Sequence, residues 1–301
     1  MLRHGRVAAR WGDTRQVDPT FSVAKSYLGM LAGLAVADGL IPDLDAPVGR
    51  SVQDGGFEDA RNGAVTWRQL LQNTSEWEGT LFGKSDVIDR GRSLAAEGRG
   101  RKGFARPLRA PGDHWEYNDV RVNRLALSLL RVFRRPLPEV FAERIMRPLG
   151  ASADWSWHGY ETSWVEVPGC GRVQSVSGGS HWGGGVFIHA EDQARLGLMA
   201  AMDGRWGGRA VLPEGWAAAC RTPCALNPSY GFLWWLNTGR TKWPAASEHA
   251  FGFFGAGGNV TWVEPAEGIV AVMRWLDPAH LNGFMGRVRA AAGATGEGDA
   301  A

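Results

Sequence analysis

Lysine is the scarcest charged residue in this chain of 301 residues, of which 33 are lysine or arginine. Only four of these are lysines, so arginine makes up almost all of the basic side chains. A guanidinium keeps its proton in proteins, whereas a lysine ammonium can lose one when its surroundings favour the neutral amine. A site that needs a neutral amine must therefore use one of the four lysines: Lys25, Lys84, Lys102 and Lys242.

Other shortages exclude whole classes of protein. The three cysteines show neither metal-ligand spacing nor a disulfide framework, which indicates a reducing compartment. The net charge is only +2 and no basic stripe is present, so we expect no nucleic-acid partner. The longest apolar stretch, residues 27–36, is too short to span a membrane, and the sequence as given opens without a signal-peptide pattern. We therefore predict a cytoplasmic protein with no metal and no cofactor.

Apolar periodicity divides the chain into two lobes and predicts an α+β fold. A mainly antiparallel sheet with flanking helices is expected at 1–45 and 170–290, with an inserted all-helical lobe at 46–169 and a disordered tail at 291–301. Helices are predicted at residues 22–38, 65–74 (with Thr66 as N-cap), 120–135, 136–150 and 189–204, and an antiparallel hairpin at 258–265 and 268–275.

Ser22 and Lys25 open the first predicted helix. Because they are three residues apart, their side chains share one helix face and lie within reach of each other. A serine hydroxyl is a poor nucleophile until a base removes its proton, and burial in a cleft can lower the pKa of a lysine enough to make it that base. The helix dipole also favours an oxyanion beside Ser22. Ser22 can equally be a helix N-cap, the commoner role of serine at a helix start, so the pair alone is a weak signal.

Tyr117, just before the helix predicted at 120–135, favours the catalytic interpretation. A tyrosine at the mouth of a helix can pass a proton between nucleophile and leaving group. The alternative role is a packed aromatic ring with a hydrogen-bonded hydroxyl. Asp113 and His114 suggest a Ser-His-Asp arrangement with Ser22, which we disfavour because the Ser-x-x-Lys pair already supplies a base.

The glycine-rich segment 253–259 enters a predicted strand. Glycines at such a point let the backbone approach a ligand closely. A backbone N–H there, that of Ala256, is predicted to form an oxyanion hole together with the N–H of Ser22. The alternative is an ordinary turn.

The order Ser22-x-x-Lys25, then Tyr117, then a glycine-rich strand entry resembles that of serine beta-lactamases and penicillin-binding proteins. The likeness is closer to their class C-like branch, which also contains esterases and 6-aminohexanoate-dimer hydrolase. The segments that carry it are FSVAKSYLGMLAGLAVADGLIPDLDAPV, which is similar to the nucleophile helix and the loop after it, LLQNTSEW, which is similar to LL.HTSG, and SHWGGGVFIHAEDQARLGLM, which is similar to GG…S..DMARFG. The resemblance extends from about residue 3 to residue 276.

This resemblance implies a three-layer domain with a central antiparallel sheet, plus a helical lobe. It implies a covalent acyl-enzyme on Ser22, proton transfers shared by Lys25 and Tyr117, and release of the acyl group by water. The substrate is expected to contact residues that border the cleft, namely Asn118, Asp119, Trp182, Gly255 and Gly257.

The chain departs from the family pattern at two motifs. The family usually has Tyr-x-Asn, whereas here Asn118 is in the middle and Asp119 in the third position, which puts an amide contact to substrate in doubt. The family also has Lys-Thr-Gly, or His-x-Gly in many esterases, where this chain has Phe253-Phe254-Gly255. Without that cation, a substrate carboxylate loses a charge-assisted bond, so we predict a small neutral ester or amide as substrate.

The leading hypothesis is thus a serine hydrolase. The alternatives are a slowly acylating or non-hydrolytic penicillin-binding or sensor-like protein, a weak beta-lactamase or D-alanyl carboxypeptidase, and a truncated remnant without function. The last is suggested by a start inside the first predicted hairpin.

Overall fold

A computed structural model of the chain describes residues 1–92, 102–104, 106–179 and 183–296. Seven α-helices lie in these residues, none of them long and apolar enough to cross a membrane. They are α1 (Val23–Ala37), α2 (Trp67–Leu71), α3 (Asp119–Phe133), α4 (Leu137–Phe141), α5 (Ala190–Ala201), α6 (Trp216–Cys220) and α7 (Pro278–Gly296).

The strands of the described residues are mostly short. They are β1 (Leu2–Arg3), β2 (Arg6–Val7), β3 (Asp18–Pro19), β4 (Thr80–Leu81), β5 (Lys84–Ser85), β6 (Ser156–His158), β7 (Trp164–Val167), β8 (Gly171–Gln174), β9 (Gly185–Ile188), β10 (Arg205–Trp206), β11 (Arg209–Ala210), β12 (Trp235–Leu236), β13 (Phe251–Gly255), β14 (Asn259–Glu264) and β15 (Ile269–Met273).

A six-stranded antiparallel sheet forms the centre of the fold, in the order β12-β13-β14-β15-β1-β2. The predicted hairpin is confirmed as β14 and β15, with Trp262 opposite Ala271. These two strands are completely buried, which explains their nearly continuous apolar sequence. The α+β class with an antiparallel sheet, predicted from the sequence, is confirmed.

Helices cover both faces of this sheet and make three layers. On one face, Tyr27 of α1 packs edge-on against Phe253. On the same face, α5 lies so close that a methyl group at Gly197 would come within 2.6 Å of Thr261. On the opposite face, α7 is tied to the loop after β14 by Arg289, which donates a hydrogen bond of 2.7 Å to Glu267.

The other helices pack beside α1, where α3 contacts both α1 and α2. Thr66 is confirmed as the N-cap of α2, because it accepts a hydrogen bond from the backbone N–H of Gln69 while the Gln69 side chain accepts one from Thr66. The helix predicted at 136–150 is shorter than expected: α4 gives way to a π-helical turn at Ala142–Met146.

Two features differ from the predicted domain limits. The β7–β8 hairpin spans the expected boundary between residues 169 and 170. At the C-terminus, α7 continues to Gly296, so residues 291–296 are helical where a disordered tail was predicted. The apolar residues of this helix, among them the buried Leu281 and Met285, anchor it on the core and allow its low-complexity end to follow.

Candidate active site

Ser22 lies at the start of α1 and is partly exposed. It occupies the N-cap position, yet its side chain makes no capping hydrogen bond. Its Oγ instead accepts a hydrogen bond of 2.9 Å from Lys25 Nζ. The preceding residue, Phe21, has a φ of +51°, a left-handed conformation that costs a bulky residue energy and is often found at functional sites. The capping role that the sequence left open is therefore not the one Ser22 has.

The Lys25 ammonium is buried among acceptors. Besides Ser22, it donates a hydrogen bond of 3.0 Å to the Gly178 carbonyl oxygen and forms an ion pair of 2.6 Å with Asp119. Burial lowers the pKa of Lys25, but the interactions with Asp119 and Tyr117 together outweigh burial and the pKa is raised. This differs from the sequence-based expectation, in which burial lowers the pKa and makes Lys25 a base. The raised pKa favours the ammonium form of Lys25 at neutral pH.

Asp119 binds a second cation, Arg92. The Arg92 guanidinium donates a hydrogen bond of 3.0 Å to Asp119 Oδ2. Although burial opposes ionisation, Lys25 and Arg92 together hold the pKa of Asp119 below its usual value. The neighbouring Asp89, also buried, accepts a hydrogen bond from the Asp119 backbone N–H, and burial raises its pKa.

Tyr117 lies between these two cations. The distance from the centre of its ring is 5.0 Å to Lys25 Nζ and 5.1 Å to the guanidinium carbon of Arg92. The ring of Trp235 stacks on it with centroids 5.7 Å apart, and Tyr230 packs edge-on against it. The structure thus brings Ser22, Lys25 and Tyr117 together around one ammonium group.

Two glycines let other segments approach the backbone at Ser22. A methyl group at Gly255, at the end of β13, would come within 2.1 Å of the Thr20 carbonyl oxygen and 3.1 Å of the Ser22 nitrogen. One at Gly179 would come within 1.8 Å of the Phe21 carbonyl oxygen. Only glycine fits at either position without moving the backbone. The end of β13 therefore lies directly beside the nucleophile.

The remaining predicted site residues lie in different surroundings. Ala256 and Gly257 follow β13 and are exposed, as an oxyanion hole and a substrate contact require. Asn118 is completely buried, because its side chain caps α3 by accepting hydrogen bonds from two backbone N–H groups. It offers no surface to a substrate, and Asp119 is likewise buried in its ion pairs. Trp182 lies outside the described residues.

The sequence did not reveal Arg92 or Trp235 as neighbours of Tyr117. Arg92 is in a loop that no motif marks, and Trp235 follows the fully buried Trp234, from which the sequence pattern does not distinguish it. His114 was the weaker alternative base. Burial and the nearby charge of Arg106 lower the pKa of His114.

A cavity of about 700 Å³ lies away from this cluster. It is bordered by the loop after β2, by α5 and by β15, and its walls include Trp11, Glu191 and Trp206. None of the site residues described above lines it, so this cavity is separate from the surroundings of Ser22.

Solved structures of other proteins share this fold. The chain superimposes on a protein described as a 6-aminohexanoate-dimer hydrolase from Bacillus anthracis with a TM-score of 0.69 and 17% identity, covering 98% of this chain and 78% of the other. For a Mycobacterium bovis beta-lactamase the TM-score is 0.63 and the identity 19%, covering 98% of this chain and 92% of the other. For EstCE1, described as a hydrolase with promiscuous acyltransferase activity, the TM-score is 0.66 and the identity 19%, covering 97% of this chain and 91% of the other.

At these identities the likeness shows the fold alone, and no curated protein sequence matches the chain. The sequence profile of the Beta-lactamase family, however, matches residues 2–278. Since that match spans nearly the whole chain, the protein belongs to the beta-lactamase family.

Proposed function

We propose that the protein is a serine hydrolase that forms an acyl-enzyme on Ser22. The observation that carries this proposal is the hydrogen bond of 2.9 Å between Lys25 Nζ and a serine hydroxyl that is free of any capping role. Membership of the beta-lactamase family supports it. A partly exposed hydroxyl beside a buried cation is suited to attack on a carbonyl carbon.

The protonation state of Lys25 bears on which residue accepts the proton of Ser22. Because Asp119 keeps Lys25 as an ammonium, Lys25 holds and polarises the Ser22 oxygen but cannot take its proton. Tyr117 is the remaining candidate acceptor, and the proposed reaction starts from its phenolate. The centre of its ring lies about 5 Å from Lys25 Nζ and from the guanidinium carbon of Arg92.

The proposed reaction consists of an acylation and a deacylation of Ser22. Ser22 Oγ bonds to the substrate carbonyl carbon while its proton passes to the Tyr117 oxygen. The oxyanion accepts hydrogen bonds from the backbone N–H groups of Ser22 and Ala256. Ala256 is suited to this role because the preceding residue, Gly255, closely approaches the backbone at Ser22. The carbon–leaving-group bond breaks as Tyr117 returns the proton to the leaving group. Water attacks the acyl-enzyme by the same steps and restores Ser22.

The substrate of this proposal is a small ester or amide. A slowly acylating binding protein is the second candidate, favoured by the same ion pair, since an ammonium at Lys25 removes one of the two possible bases. The two candidates share the first covalent bond and differ in the rate at which water releases it.

A labelling experiment tests both. We expect a fluorophosphonate to add one adduct to the protein, detected by intact mass, and para-nitrophenyl butyrate to be hydrolysed. Ser22→Ala should lose both, and Tyr117→Phe should lower kcat by about 10²- to 10⁴-fold. Ser26→Ala, a matched control on the same helix whose hydroxyl bonds to the Leu233 carbonyl, should retain both.

Labelling without turnover would support the binding protein. Turnover retained by Ser22→Ala would exclude both candidates.

A further inference from the structure

Lys242 is unlike the other cations near the cleft. Lys25 and Lys102 each pair with a buried aspartate, whereas Lys242 has no carboxylate within ion-pair distance among the described residues. Its ammonium lies over aromatic rings, 4.0 Å from the centre of Trp235 and 5.7 Å from that of Trp243. Burial, with no opposing anion, lowers the pKa of this half-buried group to about 8.

Trp235 connects Lys242 to the candidate active site. The same ring that carries the ammonium stacks on Tyr117, with centroids 5.7 Å apart. Trp115 and Tyr230 pack edge-on against Trp235 and hold it in place. Lys242 is therefore one aromatic ring away from the tyrosine that the proposed mechanism uses.

The free edge of β13 leads from Trp235 to Ser22. Within the described chain, β12 pairs with β13 only at Phe251 and Gly252, so Phe253–Gly255 has no neighbouring strand on that side. One end of this open edge lies beside Trp235, which is opposite Gly252, and the other end lies beside Ser22 at Gly255. A ligand that extends along the edge from Ser22 would approach Lys242.

Among the residues that the structure describes, the Lys242 ammonium has no anionic partner that would compensate its lost hydration. Aromatic faces attract a cation, but they do not replace a charge-assisted hydrogen bond. The long stem of lysine can also pack on a ring merely to keep its charge near water, which is the competing explanation. The two explanations differ in whether the ammonium recognises anything.

We propose that Lys242 binds a carboxylate of the substrate, so that the cleft accepts anionic esters or amides whose reacting carbonyl lies at Ser22. The cation that the sequence lacks at Phe253 is thereby supplied from the loop after β12. This proposal rests on the proposed function for the position of the reacting carbonyl. It replaces the sequence-based expectation of a neutral substrate.

Two matched ester pairs test this selectivity. The first is phenyl acetate and meta-acetoxybenzoate, with the carboxylate on the leaving group; the second is para-nitrophenyl butyrate and the para-nitrophenyl monoester of glutarate, with the carboxylate on the acyl group. We expect kcat/KM to favour the anionic member of at least one pair. Lys242→Met should reduce that preference by about 10- to 100-fold, mainly through KM, as expected for loss of one charge-assisted hydrogen bond.

The controls separate charge from packing. Lys242→Arg should keep the preference, and Lys84→Met, which removes the same charge from the β4–β5 hairpin, should leave it unchanged. Neutral esters should be hydrolysed at similar rates by the original protein and Lys84→Met, and Lys242→Met should change these rates less than it changes the rates for the anionic esters. An equal preference in the original protein and Lys242→Met would overturn the proposal and leave a lysine that only packs on Trp235.

A binding measurement keeps the test independent of turnover. With Ser22→Ala as background, tryptophan fluorescence should show that meta-hydroxybenzoate or hydrogen glutarate binds more tightly than phenol, and that adding Lys242→Met abolishes this difference. Absence of labelling and of hydrolysis would contradict only the proposed function. Equal affinities with and without Lys242→Met would contradict only the role of Lys242.

Discussion

Two clusters of buried charge meet at the start of α3, and they are built differently. The site cluster consists of Lys25, Asp89, Arg92, Tyr117 and Asp119. The lobe cluster consists of Glu76, Asp86, Arg90, Arg106, Glu116 and Arg121. Most side chains of both clusters are buried, although Arg92 and Arg106 are 23% and 22% exposed, and Asp119 and Arg121 lie two residues apart on the same helix.

The lobe cluster is saturated with hydrogen bonds. Arg121 alone donates to the Trp77 carbonyl oxygen and to the carboxylates of Glu76, Glu116 and Asp86. No buried nitrogen or oxygen of its six side chains lacks a partner within the described chain. Such an arrangement holds one geometry and resists change.

The site cluster is not saturated. Asp119 Oδ1 contacts Lys25 Nζ at 2.6 Å, whereas Asp89 Oδ1 accepts no hydrogen bond among the described residues and forms only long ion pairs, 3.6 Å from Arg92 and 3.5 Å from Lys102. Part of the hydrogen bonding of Lys25 is directed to Ser22, a group that must change its protonation during the proposed reaction. We therefore infer that the lobe cluster mainly stabilises the fold and that the site cluster takes part in the proposed reaction.

The largest expected effect is on turnover. Lys25→Met removes the ammonium that donates a hydrogen bond to Ser22 and lies beside the Tyr117 ring, so kcat/KM for para-nitrophenyl butyrate should fall by about 10²- to 10⁴-fold. Because a buried ion pair is broken, the free energy of unfolding, measured by urea denaturation, should also fall, although Asp119 keeps its ion pair with Arg92. A large loss of stability without loss of turnover would reverse the roles that we assign to the two clusters.

The next effect is on stability. Arg121→Met leaves three buried carboxylates without their shared guanidinium, so it should lower the free energy of unfolding by about 3–5 kcal/mol. The matched control is Arg135→Met, because Arg135 forms an exposed pair with Glu143 and should contribute little. Equal stability of the two variants in urea denaturation would show that the lobe cluster is not stabilising.

Local patterns explain what the sequence could predict. Ser22 and Lys25 meet because a spacing of three residues places them on one face of a helix. Tyr117 was predicted to join them because the order of the motifs resembles that of the family. Arg92 and Lys242 were not predicted, because long-range packing of loops brings them to the site and no local period marks such contacts.

Asp119 shows how far the sequence alone can explain a departure from the family pattern. The sequence showed the loss of an amide that could bind substrate. It did not show that the new carboxylate pairs with Lys25, because the position of the partner depends on how α3 packs against α1. That packing changed the predicted base from Lys25 to Tyr117.

The smallest expected effect is on the pH dependence of stability, and it concerns Glu76 of the lobe cluster. Glu76 occupies the position of glycine in the similar family segment and has a φ of +47°. Despite burial, Arg106 and Arg121 lower its pKa from 4.5 to about 2. A carboxyl group whose pKa is lower in the folded state stabilises the fold above its unfolded pKa. This stabilisation is lost as the pH falls from about 4.5 towards 2.

Glu76→Gln should therefore be less stable than the original protein by about 1.5–3 kcal/mol at neutral pH, the usual size for a hydrogen bond to a charged group. The difference should shrink as the pH falls towards 2, when the original protein also loses the charge. Urea denaturation across this range measures both curves, with Glu143→Gln in the exposed pair as the control that should show little change. Parallel curves for Glu76→Gln and the original protein would mean that the Glu76 charge does not stabilise the fold, leaving the lobe cluster to act through shape and neutral hydrogen bonds.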